Sequence, residues 1–248
     1  MKVMTGKDTR WISDAMWCVR HFAMFFLALG AYCQTPVINA NAIATEPSTV
    51  GGSRRIAGLI PNFRSEPVPA RYEPLTARAK FRIAANDAFD RGTISLAGIF
   101  AAQGQLAHSN ESFGQGAGAY AHYLGTSYAD FMTGNLLTEG VFPALLHQDP
   151  RYFRKGSGAG RSRFGHAAKQ IFWTEHDSGK GEFNYSEIGG NSAAVAISMA
   201  YYPDSRRASN ATSMLGLQVG LDMASNVLKE FWPDIEKKLS RRRRHDRL

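Results

Sequence analysis

From Thr76 onward the apolar residues recur at the three-to-four-residue spacing of helices. Thr76 is placed to cap a first helix, whose stripe of Phe81, Ala84, Ala85, Ala88 and Phe89 ends before Gly92. A second helix is expected from about Thr93 to His108; it is apolar nearly all round, which predicts burial. A long third segment runs from Gly116 to about His147, with Pro143 set to kink or restart it. Ser162 to Trp173 reads as a short amphipathic helix. Asn184, followed by Glu187, has capping-box spacing at the head of a helix ending before Pro203. A last helix runs from near Asn210 through Lys238, bent or interrupted at Pro233. Period-two alternation is scarce and no internal repeat is present. The expected fold class is all-α, a compact bundle of about six helices.

Small residues are spaced regularly along these helices. Ala117, Ala121, Gly125 and Ala129 recur every fourth residue, as do Gly216, Gly220 and Ala224, and Gly98 with Ala102. Such ridges let helix backbones approach closely, so they are predicted to pack inward. The polar stripe of the last helix, Gln218, Asp222, Ser225, Asn226 and Lys229, then becomes a solvated face.

Ahead of the helices the chain changes character. Lys2, Lys7, Arg10 and Arg20 precede an apolar run from Phe22 to Ala31, too short to span a bilayer but of signal-peptide length. Small residues at Ala40 and Ala42 suit cleavage after Ala42. Residues 43–75 carry Pro47, Pro61, Pro67, Pro69 and Pro74, which predicts an extended arm. The expected organisation is therefore a signal peptide (1–42), the arm (43–75), a helical domain (76–239) and a basic tail (240–248).

Composition changes this picture little. At 44% hydrophobic and 20% charged residues the chain is of the folding kind. Both cysteines, Cys18 and Cys33, lie in the signal segment, so no thiol chemistry is expected of the mature chain. Charge matters more. The net charge of +8 is concentrated in two places. Between Arg151 and Thr174 stand Arg151, Arg154, Lys155, Arg161, Arg163 and Lys169 with no acid among them, and a second basic run follows Lys237. The first of these is the candidate site for an anionic surface.

Candidate chemistry is sparser. Asn135 and Glu139 fall five helical turns beyond Ala117 and Ala121, which predicts a buried carboxylate in need of a partner. His147, His166 or an Arg of the basic segment are the partners considered. Glu139, with His147 and Asp149 of the His147-Gln148-Asp149-Pro150-Arg151 run, is the candidate catalytic set. The structural alternatives are a buried pair that fixes helix register and a helix end followed by an Asp-Pro turn. Residues 155–162 fail the phosphate-loop pattern at two positions. No nucleophile elbow or zinc-protease motif occurs, and no metal or cofactor is expected.

Four stretches carry a resemblance: Arg55–Arg64, Leu145–Arg154, Phe183–Asn191 and Asn226–Ile235. They resemble an uncharacterised family of secreted bacterial envelope proteins with no established activity. The resemblance implies export to the periplasm or cell envelope and assigns no catalytic residue. The functional expectation is a helical, membrane-associated envelope protein that meets an anionic lipid or lipopolysaccharide surface, with nucleic acid not expected as a partner. The alternative is a periplasmic hydrolase using Glu139 with His147 or Asp149.

Overall fold

The computed structural model describes residues 55–56, 60–205 and 208–245; the expected signal peptide, part of the arm and the end of the tail lie outside them. Helix starts follow the capping residues. Thr76 Oγ1 accepts from the Ala79 N–H at 3.2 Å and opens α1 (Ala77–Ala88). The Asp90 carboxylate accepts from the Gly92 N–H at 2.6 Å and opens α2 (Arg91–Leu106). Helix α3 (Ala117–Asn135) continues into a π-helical segment, Leu136–Val141, and then into α4 (Phe142–Leu146). Pro143 is the second residue of α4, directly after the wide turn in which the Phe142 N–H reaches back to the Leu137 carbonyl, so the chain takes up the proline inside a continuing helix. Three further helices follow: α5 (Gly160–Phe172), α6 (Tyr185–Ser198) and α7 (Ala208–His245), which contains Pro233.

The chain is thus mostly helical, but all-α is too strict. Three two-stranded sheets are present among the described residues, and one of them joins distant segments. β1 (Arg55–Ile56) pairs antiparallel with β2 (Ile60–Pro61), and β3 (Ser65–Pro67) runs parallel to β4 (Tyr152–Arg154). β5 (Trp173–Glu175) pairs antiparallel with β6 (Gly181–Phe183). With three residues at most, none is long enough to register as alternation in the sequence.

Close helix contacts occur, though mostly not where the ridges predict them. A Cβ added at Gly190 of α6 would stand 2.9 Å from the Thr138 Cα, so α6 and the π segment touch through backbone. Gly140 similarly accommodates Phe81 and Ala84 of α1, and Gly104 the Tyr123 ring. Of the glycines in the predicted ridges only Gly98 has a neighbour within 4 Å of an added Cβ, and its carbonyl accepts from Tyr120 Oη at 3.2 Å. Ala117, Ala121 and Gly125 are exposed, and a Cβ at Gly216 or Gly220 would meet nothing within 4 Å.

Helix α7 is consequently turned around relative to the expectation. Its polar stripe faces inward, with Asn226 and Lys229 each only 4% exposed, while Leu217 on the other side is 60% exposed. The inward stripe meets polar groups on four other segments, Asp222 accepting from the Asn191 amide at 3.1 Å, while Gln218 Oε1 and Asn226 Oδ1 are buried without a hydrogen-bond donor. Helix α2 is also less buried than its composition predicts, with Ile94, Ile99 and Leu106 exposed. Among the described residues no helix is long and apolar enough to cross a membrane.

Candidate functional site

The basic segment divides into two sets. Arg151 is held by Asp149, with Nη2 to Oδ2 at 2.6 Å, by Glu66 at 3.1 Å, and by the Glu73 carbonyl at 2.7 Å. Its guanidinium also lies 5.1 Å from the Phe153 ring centre. It clamps the segment before α1 to the β4 strand and is not a surface cation. Arg163 points inward because residues 163, 167 and 171 share the buried face of α5. There its Nε donates to Glu230 Oε1 at 2.7 Å and its Nη1 to Asp234 at 2.5 Å. The six-residue cationic set is therefore corrected at Arg151 and Arg163, both neutralised by acids from elsewhere in the chain. Arg154 is half-buried, and the charge of Asp234 reaches it.

The outer face of α5 and the loop before it keep the other cations. Arg161 and Lys169 are exposed, and Lys155 is exposed with its Nζ donating to Ser162 at 2.7 Å. Between them stand exposed aromatics: Phe164, Phe172 and, directly after the helix, Trp173. Lys169 Nζ lies 5.7 Å from the Trp173 ring centre. Three large aromatic side chains in water beside three cations form a surface of mixed apolar and positive character.

Glu139 sits in the core of the bundle, in the π segment, and its partner is Arg64 from the arm, at 3.5 Å. None of the partners considered from the sequence takes that place. Around this pair converge Asp87 of α1, Glu187 of α6, and Asp222 and Lys229 of α7. Asp87 and Glu139 lie within hydrogen-bonding reach of each other, as do Glu187 and Asp222. The Asn191 amide bridges the second pair, donating to Glu187 at 3.2 Å and to Asp222 at 3.1 Å. Burial, followed by the charge of Asp87, pushes the Glu139 carboxyl well above its ordinary range. Burial and then Asp222 do the same to Glu187. Burial and the Arg64 charge push Lys229 down to about 8. Arg64 is also desolvated, but the surrounding carboxylates keep it charged. Arg64, Glu187 and Asn226 border a polar cavity of about 20 Å³ that reaches Asp149 and Tyr152. That space admits about one water.

The candidate catalytic set is not brought together. Glu139 is 3% exposed, whereas the His147 side chain is 70% exposed and sits 3.6 Å from Asp177. His147 closes α4 in the left-handed conformation, φ 55°. Asp149 is engaged by Arg151 and by Tyr72 Oη at 3.0 Å. Gln148 ties the same turn to α6, accepting from the Ser186 N–H at 2.8 Å. The run after α4 is a structural knot built on a helix end.

Sequence reasoning missed Arg64, Asp87, Glu187, Asp222 and Lys229 as companions of Glu139. Glu187 carried a signal that was only half correct. Asn184 Oδ1 does accept from the Glu187 N–H at 3.0 Å, but the Glu187 carboxyl turns to Asn191 and Asp222 in place of closing the box. No family model, curated protein or solved structure matches the chain.

Proposed function

We propose that this is an exported envelope protein that lies on an anionic surface, lipid or lipopolysaccharide, with α5 as the contact element. The observation that carries the reading is the outer face of α5. Its exposed Phe164, Phe172 and Trp173 alternate with Arg161 and Lys169. Aromatic rings settle at the headgroup boundary, and each cation near an anionic leaflet contributes about 1 kcal/mol. The inward pairing of Arg151 and Arg163 removes two cations from the count, so apolar insertion has to supply more of the attachment. The signal-like segment at 1–42 supports export. The hydrolase alternative is less favoured, because Glu139 is shut inside the bundle away from His147 and the adjoining space admits only water.

Co-sedimentation with phosphatidylglycerol and phosphatidylcholine vesicles over a salt series tests the proposal. Binding to the anionic vesicles is expected, weakening as salt rises because screening acts within about 8 Å at physiological strength. Arg161→Glu with Lys169→Glu removes the anionic preference, and Phe164→Ser with Phe172→Ser weakens binding even at low salt. Absence of binding, or binding unaffected by salt and by both double variants, refutes it.

A further inference from the structure

The buried group around Glu139 poses a charge problem that the surface reading leaves untouched. Its titratable members come from every element packed around it: Arg64 from the arm, Asp87 from α1, Glu139 from the π segment, Glu187 from α6, and Asp222 and Lys229 from α7. Fully ionised, these make two cations against four carboxylates. Two uncompensated negative charges would then stand in the interior, five of the six groups being buried and Asp222 partly so. An interior does not hold net charge of that size; groups neutralise first.

The geometry says where the neutralising protons go. The carboxyls lie within hydrogen-bonding reach of one another in two pairs, Asp87 with Glu139 and Glu187 with Asp222. In the first pair Asp87 Oδ1 and Glu139 Oε2 are buried and have no donor from any neighbour. Two acceptors facing each other without a hydrogen repel; with one proton between them each is satisfied. In the second pair the single Asn191 amide serves both carboxyls.

We propose that Arg64, Asp87, Glu139, Glu187, Asp222 and Lys229 form a site that binds two protons at neutral pH, one within the Asp87–Glu139 pair and one on Glu187. The bound protons hold α1 and α6 against the π segment, and α7 against α6. The Gly190–Thr138 backbone contact lies one residue from Glu139 and three from Glu187, so charge appearing in either pair strains the tightest helix crossing. Glu187 borders the polar cavity, which gives its pair a route to water.

Infrared spectroscopy of the full chain in H₂O and D₂O tests this. The spectra are taken at about pH 8, above the value near 6 to which burial raises Asp130. The wild type is expected to show a protonated carboxylic-acid band that shifts in D₂O. Glu139→Gln and Glu187→Gln should each remove about half of it, and Glu230→Gln none. A wild-type spectrum without that band overturns the proposal, as does a band that survives intact in the Glu139→Gln, Glu187→Gln double variant. If the variants do not fold, the wild-type titration still decides. The band must persist at pH 8 and disappear on alkalinisation within the folded state; its absence at pH 8 overturns the site.

Discussion

Lys229 and Glu230 are neighbours on α7, yet they enter two polar clusters of opposite design. Glu230 is completely buried and completely satisfied. Its carboxylate accepts from Arg163 Nε at 2.7 Å, Tyr152 Oη at 2.8 Å, and the N–H groups of Lys155 at 3.0 Å and Gly156 at 2.8 Å. Burial alone would raise its pKa, but these donors prevail and lower it. One residue earlier, Lys229 faces carboxyls that burial and mutual repulsion raise, with oxygens that lack donors. Glu230 and Glu139 are both shielded from solvent, but the Glu230 cluster lies nearer the surface, where Asp234 keeps its side chain 46% exposed. Donor count and depth together separate them: the carboxylate given four donors is held in its charged form, whereas the deeper carboxyls with fewer donors are pushed toward the protonated form.

The strongest way to break this comparison is to remove Glu230. Glu230→Ala leaves Arg163 buried without its main partner and orphans the Tyr152 hydroxyl, so a loss of about 3–5 kcal/mol is expected in denaturant unfolding. Glu139→Gln replaces a protonated carboxyl with an amide of the same shape and should cost less than about 1.5 kcal/mol. Equal losses would show that both clusters depend on ionised groups.

Next in size is backbone contact. Gly190→Ala drives a methyl into the Thr138 backbone and should cost about 1–3 kcal/mol. Gly220→Ala, in open space on the outer face of α7, should be neutral or stabilise by up to about 1 kcal/mol. Comparable melting temperatures for the two would mean that α7 is turned the other way.

The clusters should also differ in pH response. Glu139 and Glu187 bind protons more tightly folded than unfolded, so their contribution is complete below the unfolded carboxylate pKa. It declines as pH rises toward the raised folded values. Glu230 and Asp234 are lowered, so their contribution is present above the unfolded pKa and is lost as pH falls through the folded values. Glu230→Gln should flatten the acid limb of a stability–pH profile and Glu187→Gln the alkaline limb. A variant that flattens the opposite limb refutes the assignment.

The phase of α7 marks the limit of what the sequence reveals. Caps at Thr76 and Asn184, the restart at Pro143 and the helical segments were all legible, because each depends on residues close in the chain. Periodicity also revealed that α7 has a small apolar face and a polar face. It could not say which one looks inward, because the groups that Asp222 and Lys229 meet inside come from residues 64, 87, 139 and 191. Glu139 as a buried carboxylate was readable, although the wider turns of the π segment change the phase that links it to Ala121. Its partner Arg64 was not readable, lying 75 positions away in a segment without periodicity. On α5 the buried face of Arg163, Ala167 and Ile171 was visible as amphipathic spacing, but charge alone gave no sign that Arg163 belongs to it.

The central functional claim is that the aromatic and cationic face of α5 enters an anionic leaflet, and Trp173 reports on it directly. With Trp11, Trp17 and Trp232 changed to Phe, Trp173 fluorescence is measured on adding phosphatidylglycerol vesicles that carry brominated acyl chains. The account predicts a blue shift and strong quenching that reverse on raising salt, and neither effect with phosphatidylcholine vesicles. An unquenched, unshifted Trp173 on vesicles to which the protein is bound would contradict it.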